Sequence, residues 1–450
     1  MIKRLIVLAL IIMCAAIAPE IMAQPQPPNL VVILLDDAGF GNLSPYNSAV
    51  DYTPNIQKLA DTGTIYERWY TVASWCIPTR YALLTGQAPT PEMIAADPGR
   101  EIKPTIVTLP KYLSVLGYAT GHFGKWHVTE DMTGADALEA GFDVSYPWPT
   151  LPGSSLYDRL ETTKKFTVPA AEWIRQVDGP FFAYVAFSAP HTPHFPTFQG
   201  LTGQGFVVDS YYGIDWAIGE ILRQIDLKGE LANTLIIVIS DNGPNQPLRI
   251  DPATGAALPP DWLNQTWKDN YPDVQNPLRW SESSGDNDFG WLWRQPVYDT
   301  DGQRIRPTSK GSVFEQGVRV PAIVRWPAGM ARQPVDSDLR WTADIYATMI
   351  DLAGGTMQLP TDGRSLTRPG HSQLHIYNHP NLGDGLGAIV EDRWKWHTTG
   401  ELYDLHVSTE EVDDVSDQYP MVVAHFTGSG RAVYLPMVLS ETTGGLGIRD

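Results

Sequence analysis

Three continuous apolar runs stand out along the chain, at residues 30–35, 181–187 and 235–239, with a shorter fourth at 322–326. They do not alternate with polar residues. Such runs fit strands of a parallel sheet covered on both faces. Between them, apolar positions recur at helical spacing. Ile214, Ile218, Ile221, Leu222 and Ile225 form one such stripe, and Ile345, Met349 and Leu352 another, stopped by Gly354-Gly355. Strands alternating with helices predict an α/β layered fold.

The polar residues just beyond the runs are informative. The first run ends in Asp36-Asp37, the second leads into Ala189-Pro190-His191, and the third ends in Ser240-Asp241-Asn242-Gly243. In open α/β sheets, sites lie at the carboxyl ends of the strands. A lone Asp pair or Asp-Asn-Gly is usually a cap or turn. Two such groups, each directly after a buried strand, point instead to a hard cation. Oxygen ligands suit Ca²⁺ or Mg²⁺ better than Zn²⁺.

At the N-terminus, Lys3 and Arg4 precede an apolar stretch from Leu5 to Ala18, and Ala23 offers a small residue before Gln24. This is the form of a secretory signal peptide over residues 1–23, with a periplasmic or secreted destination. The stretch is short for a membrane span, and Met13 is too bulky for a lipoprotein site at Cys14. Removing the segment leaves Cys76 as the sole cysteine, so no intramolecular disulfide can form. The 450-residue chain has 43% hydrophobic and 18% charged residues, an ordinary globular balance. Its net charge of −19 lacks the basic excess that nucleic acid requires. An anionic substrate would have to be held by a few placed cations or a metal.

Cys76 is followed by Pro78, Thr79 and Arg80, then by Leu84-Thr85-Gly86. Pro78 suits the first turn of a helix, which puts Cys76 near an anion-attracting N-terminus. A buried inert cysteine is the ordinary alternative, but it does not need Arg80 one turn on. The segment resembles the sulfatase signature. Further segments similar to that family follow in order: residues 29–41 with the aspartates, Thr53-Pro54-Asn55-Ile56, Tyr118–Gly121 with Gly124-Lys125-Trp126-His127, Pro190-His191-Thr192-Pro193, Ser240–Gly243, Lys310-Gly311 through Glu315 to Arg319-Val320-Pro321, and Arg393-Trp394-Lys395 with Glu401–Leu405. Thr79 stands where Ser or Ala is usual, and Asn42 where an Asp often stands.

The resemblance implies an alkaline-phosphatase-like α/β fold, a large sheet between helices with a small C-terminal α+β domain carrying an antiparallel sheet. With the signal peptide at 1–23 and the boundary placed at the helix stop near Gly355, the chain divides into a catalytic domain (24–355) with a Trp-rich insertion at 245–309 and a C-terminal domain (356–450). It implies conversion of Cys76 to Cα-formylglycine by a formylglycine-generating enzyme. One Ca²⁺ would be held by Asp36, Asp37, Cys76, Asp241 and Asn242. The hydrated aldehyde would attack the sulfur of a sulfate ester, and its second hydroxyl would later expel sulfate. Arg80 would steady that group, and Lys125 and Lys310 would clamp sulfate. His127 would take a proton and His191 would protonate the leaving alcohol. Lys125 and His127, two apart on an extended segment, would point the same way. His122 and His194 receive no role.

The activity so implied is hydrolysis of an aryl sulfate or a sulfated carbohydrate. A phosphonate monoester or phosphodiester hydrolase and a non-catalytic glycan-binding protein are the alternatives. The stretch from Asn245 to Pro307 carries Trp262, Trp267, Trp280, Trp291 and Trp293. So many aromatics in a long connection read as an ordered wall or lid, or as anchors on the protein body. No Gly-x-Ser-x-Gly elbow, phosphate-binding loop or Cys-x-x-Cys pair occurs.

Overall fold

The computed structural model describes residues 26–88, 102, 105–129, 135–147, 162–191, 197–198, 200–204, 206–244, 310–356, 361–377, 387–407, 411 and 413–428. It also describes four two-residue strands between residues 249 and 305, paired as two antiparallel ladders. The five tryptophans of the 245–309 insertion, His194 and the N-terminal apolar stretch lie outside the described residues.

The apolar runs are strands of one eight-stranded sheet. Its order is Val335–Asp336, Thr64–Tyr66, Ala322–Arg325, Thr234–Ser240, Asn29–Leu35, Phe181–Ala186, Ala119–Gly124 and Val144–Pro147. Asn29–Leu35 runs parallel to both of its neighbours. Successive side chains point to opposite faces, so Leu30, Val32 and Leu34 enter one core while Val31, Ile33 and Leu35 enter another. All six are fully buried. The helices Pro54–Thr62, Thr162–Gln176 and Phe206–Leu227 cover the second face. Cys76–Thr85, Leu109–Val115 and Asp344–Leu352 cover the first. Each fully buried Leu or Ile contributes about 1.5–3 kcal/mol, so two covered faces stabilise the sheet from both sides.

One strand departs from the expected parallel arrangement. Ala322–Arg325 is antiparallel to both neighbours. Ala322 pairs with Ile239, at the carboxyl end of its neighbour. The chain therefore re-enters the sheet at the end where it left, and no crossover helix is needed. The helix Asp344–Leu352 stops as the glycine pair predicts. Gly354 is left-handed at φ +77°, and the Gly355 N–H donates to the Ile350 carbonyl at 2.9 Å.

Beyond Gly355 the strands Gln373–Ile376, Ala388–Glu391, Trp394–His397 and Leu402–Asp404 form an antiparallel sheet in sequence order. One face of it packs on the rest of the chain. Leu374, Ile376, Ala388 and Val390 share a core with Tyr70, Val72, Trp75, Val313 and Val318. The small sheet thus packs on the segments that lead into Cys76 and out of Lys310.

Candidate active site

Two parallel strands and one helix converge at the carboxyl edge of the large sheet. Asn29–Leu35 delivers Asp36 and Asp37, and Thr234–Ser240 delivers Asp241 and Asn242. The Asp241 N–H still bonds the Leu35 carbonyl at 3.0 Å, which keeps the two strand ends in register. Ser240 Oγ accepts from the Ala38 N–H at 2.9 Å and donates to the Asn242 carbonyl at 2.8 Å. Asp37 sits in the left-handed region at φ +66°. An Asp held there costs of the order of 1 kcal/mol and marks a site under constraint.

Cys76 opens the helix Cys76–Thr85, with Trp75 as its extended N-cap and Gly86 left-handed at its end. Its Sγ lies 3.4 Å from Asp36 Oδ1, 3.4 Å from Lys310 Nζ and 3.7 Å from Lys125 Nζ. Ligand atoms of Asp36, Asp37, Cys76 and Asp241 all lie within 4.8 Å of one another. The Asn242 amide donates to Asp37 Oδ1 at 2.6 Å, which turns its Oδ1 the other way. Among the described residues, buried Asn242 Oδ1 and Asp37 Oδ2 have no hydrogen-bond partner.

The electrostatics share this incompleteness. Burial would raise the Asp36 carboxyl, yet Lys125, His191, Arg80 and Lys310 together hold it well below the usual range. Burial raises Asp37 and Asp241, and the Asp36 charge adds to both shifts. Acids set side by side in this way repel one another, and the surrounding cations do not offset burial and repulsion at Asp37 and Asp241. The donor set, all oxygen apart from Cys76, fits a hard divalent cation.

The remaining residues fall into place around this point. Arg80 is completely buried. Its Nε donates to Asp241 Oδ2 at 2.9 Å, its Nη1 to the Lys125 carbonyl at 2.7 Å, and its Nη2 lies 3.4 Å from Asp36 Oδ2. It is no surface arginine; it ties the two acidic strand ends to the Lys125 backbone. Lys125 Nζ donates to Asp36 Oδ2, and Lys310 Nζ to Asp37 Oδ1 at 2.7 Å.

The expected extended Lys-x-His segment is not what forms. The strand ends at Gly124, and His127 is left-handed at φ +46°. His127 reaches the electrostatic neighbourhood of Lys125, Arg80 and Asp36 by this turn and not by strand alternation. Burial, then Lys125 and Arg80, push its pKa down to about 2, so the ring stays neutral. Its buried Nδ1 has no hydrogen-bond partner among the described residues. His191 stands at the rim with its side chain 34% exposed, Nε2 3.7 Å from Asp37 Oδ2. His122 is buried behind the site, 2.9 Å from Ser145 Oγ and stacked on Tyr184. Asn42, read as structural, bonds the Tyr211 hydroxyl at 3.1 Å.

Residues 28–355 match the sulfatase family. The chain is 25% identical to bovine arylsulfatase A over 442 residues, covering 85% of this chain and 77% of that protein. It is 25% identical over 512 residues to N-acetylgalactosamine-6-O-sulfatase of Bacteroides thetaiotaomicron, covering 88% and 91%. A sulfatase structure from a Pseudoalteromonas species superposes with a TM-score of 0.68 at 22% identity, covering 90% of this chain and 89% of that one.

Proposed function

The chain belongs to the sulfatase family, and from that premise we propose that it hydrolyses a sulfate monoester to an alcohol and inorganic sulfate, with Cys76 as the position of the nucleophile. The observation that carries this reading is the gathering of three buried carboxylates and two lysine ammoniums around the Cys76 sulfur, with Arg80 paired to two of those carboxylates.

The thiol itself is a poor nucleophile there. Burial, then Asp241 and Asp36, push its pKa far up, so no thiolate forms at ordinary pH. This supports maturation of Cys76 to Cα-formylglycine by a formylglycine-generating enzyme, since the hydrated aldehyde supplies an oxygen nucleophile that can be regenerated. Asp36, Asp37, Asp241, Asn242 and the matured residue 76 would hold Ca²⁺, which when bound supplies charge for sulfate oxygens and favours an ionised nucleophile. The chain's own residues do the rest. Lys125 and Lys310, both within reach of residue 76, hold the sulfate oxygens. Arg80 fixes Asp36 and Asp241 so that residue 76 faces them. His127, whose buried Nδ1 has no hydrogen-bond partner among the described residues, would take the proton when the covalent sulfate ester collapses. His191, half-buried at the rim, would protonate the leaving alcohol.

We place the substrate among aryl sulfates and sulfated carbohydrates, the latter supported by the name of the bacterial relative. The proposed organisation is an exported chain with residues 24–355 as catalytic domain and 356–450 as C-terminal domain. Among the described residues no helix is long and apolar enough to cross a membrane. The test is a panel of aryl sulfates, sulfated sugars, phosphodiesters and phosphonate monoesters, run on protein whose Cys76 peptide mass shows the aldehyde or its hydrate. Turnover of sulfate esters in proportion to the matured fraction is the expected result. Full activity with an unmodified thiol, or preference for the phosphorus esters, would overturn it.

A further inference from the structure

A second buried ion cluster lies outside the site, and no step above uses it. Lys395, in the strand Trp394–His397, is fully buried, with Nζ 3.0 Å from Glu315 Oε1 and 3.1 Å from Glu411 Oε1. Glu315 Oε2 accepts from the Tyr70 hydroxyl at 3.1 Å and from Arg319 Nη1 at 3.2 Å. Glu411 Oε1 lies 3.0 Å from His397 Nε2, and its other oxygen accepts the Glu315 backbone N–H. Phe314 packs edge-on against His397, ring centroids 4.7 Å apart. One lysine therefore joins the small sheet to the first residue of the helix Glu315–Val318.

That helix is bonded to the active-site loops through the backbone. The Gly317 carbonyl accepts the Gly243 N–H at 2.9 Å, next to Asn242. A Cβ on Gly243 would meet the Gln316 carbonyl oxygen at 1.6 Å, so the two loops touch backbone to backbone. The Val318 carbonyl accepts from Thr71 at 2.8 Å, and the Gly311 N–H donates to Ser74 at 2.9 Å, two residues before Cys76. Residues 311–318 are thus fixed at both ends, and Lys310 reaches the Cys76 sulfur from their N-terminal edge.

A lysine buried among carboxylates is a costly way to hold a helix, because an apolar side chain of similar volume often gives equal or greater stability. What the ion cluster adds is direction. Its bonds fix Glu315, and through it the helix, against rotation about the 311–318 segment. On the proposed sulfatase reading, on which this inference rests, we propose that Lys395 is a positioning residue, which through Glu315 and Glu411 sets where Lys310 holds the sulfate.

The test is a double-mutant cycle between Lys395→Met and Lys310→Ala. It is read as KM, kcat and competitive inhibition by inorganic sulfate, with 4-nitrophenyl sulfate as substrate. Lys395→Met should raise KM and the sulfate inhibition constant about tenfold, and should add little once Lys310 is alanine. Folded Lys395→Met with unchanged KM and sulfate inhibition, or losses that multiply with those of Lys310→Ala, would overturn the proposal. If Lys395→Met does not fold, Glu411→Gln, which keeps the side-chain shape, carries the same cycle. Hydrogen–deuterium exchange separates this idea from the activity on which it rests. The amides of Gly311, Gly317 and Val318 should exchange faster in either variant, while those of Ala82 to Thr85 stay protected. Unchanged exchange at all three would also sink it. Wild-type protein inactive on every sulfate ester refutes the function and leaves the exchange result to stand or fall separately.

Discussion

The active site and the Lys395 cluster are both buried groups of acids and bases, and their formal charges balance in both. Asp36, Asp37 and Asp241 face Arg80, Lys125 and Lys310 in the first. Glu315 and Glu411 face Lys395 and Arg319 in the second. Their states differ nonetheless. Burial would raise Glu315, but Lys395 and Arg319 outweigh it and hold the carboxyl below its ordinary value. In the site, two of three carboxyls are raised, and one carboxylate oxygen and one amide oxygen have no hydrogen-bond partner among the described residues. The distinction lies in arrangement and not in count. The second cluster alternates its charges, whereas the first places its acids side by side, where they repel. One is a finished brace; the other is built to receive something more.

The largest effect should come from withholding what the site lacks. Chelation should lower activity at least about a thousandfold, with Ca²⁺ restoring it better than Zn²⁺. Asp241→Asn should act like chelation and abolish any rise of Tm on adding Ca²⁺. A chelated enzyme with full activity would erase the contrast between the clusters.

Breaking the brace should cost stability. Glu315→Gln leaves Lys395 short of a partner, at about 3 kcal/mol near neutral pH, read by denaturant unfolding. A carboxyl whose folded pKa is depressed contributes its stability above the ordinary glutamate value and loses it as pH falls. The penalty should therefore shrink below about pH 4.5. A penalty that grows in acid would contradict the charge-paired assignment.

The third test concerns the exposed edge of the site. His191→Ala should lower kcat for a sugar sulfate about a hundredfold but change 4-nitrophenyl sulfate only a few-fold, because a good leaving group needs little protonation. Equal losses on the two substrates would move His191 from proton donor to sulfate binding.

The smallest effect is on acid stability. Burial, then Arg80, lower His122 from 6.5 to about 3. Between those values the unfolded chain binds the proton that the folded chain refuses, so stability falls as pH falls through that window. His122→Phe, which keeps a ring against Tyr184, should remove about 2 kcal/mol of the loss between pH 7 and pH 5. His127 shares the window, so the variant should remain partly acid-sensitive. An unchanged slope would show that His122 already accepts a proton in the fold.

Much of this was legible in the chain itself. The apolar runs identify the central strands because a doubly covered strand cannot alternate. The acids after them sit at the carboxyl edge because the strands are parallel. The direction of Ala322–Arg325 was not legible, since strand sense depends on where the preceding segment returns. Arg80 was picked out by its spacing from Cys76, but its bonds to Asp241 and Asp36 join residues far apart in sequence. The left-handed turn at His127 has no glycine or asparagine to announce it. Glu411 has no such signal, because a glutamate in the acidic run Glu410-Glu411-Val412-Asp413-Asp414 reads as solvent-facing until Lys395 and His397 close around it.

The backbone clasp between Gly243 and Gly317 has a consequence for how this site diversifies. The Lys310 N–H also bonds the Pro244 carbonyl at 3.0 Å. Residues 244 and 310 are therefore a pair of fixed posts, and everything strung between them leaves and returns at one place. Doubling the length of such an excursion adds only about 0.6 kcal/mol of closure entropy. The span can thus be lengthened, trimmed or exchanged for a relative's without shifting the acidic strand ends or the lysine beyond it. Selection, or a designer grafting a new recognition segment, can rewrite what the enzyme grips while the chemistry stays where it is.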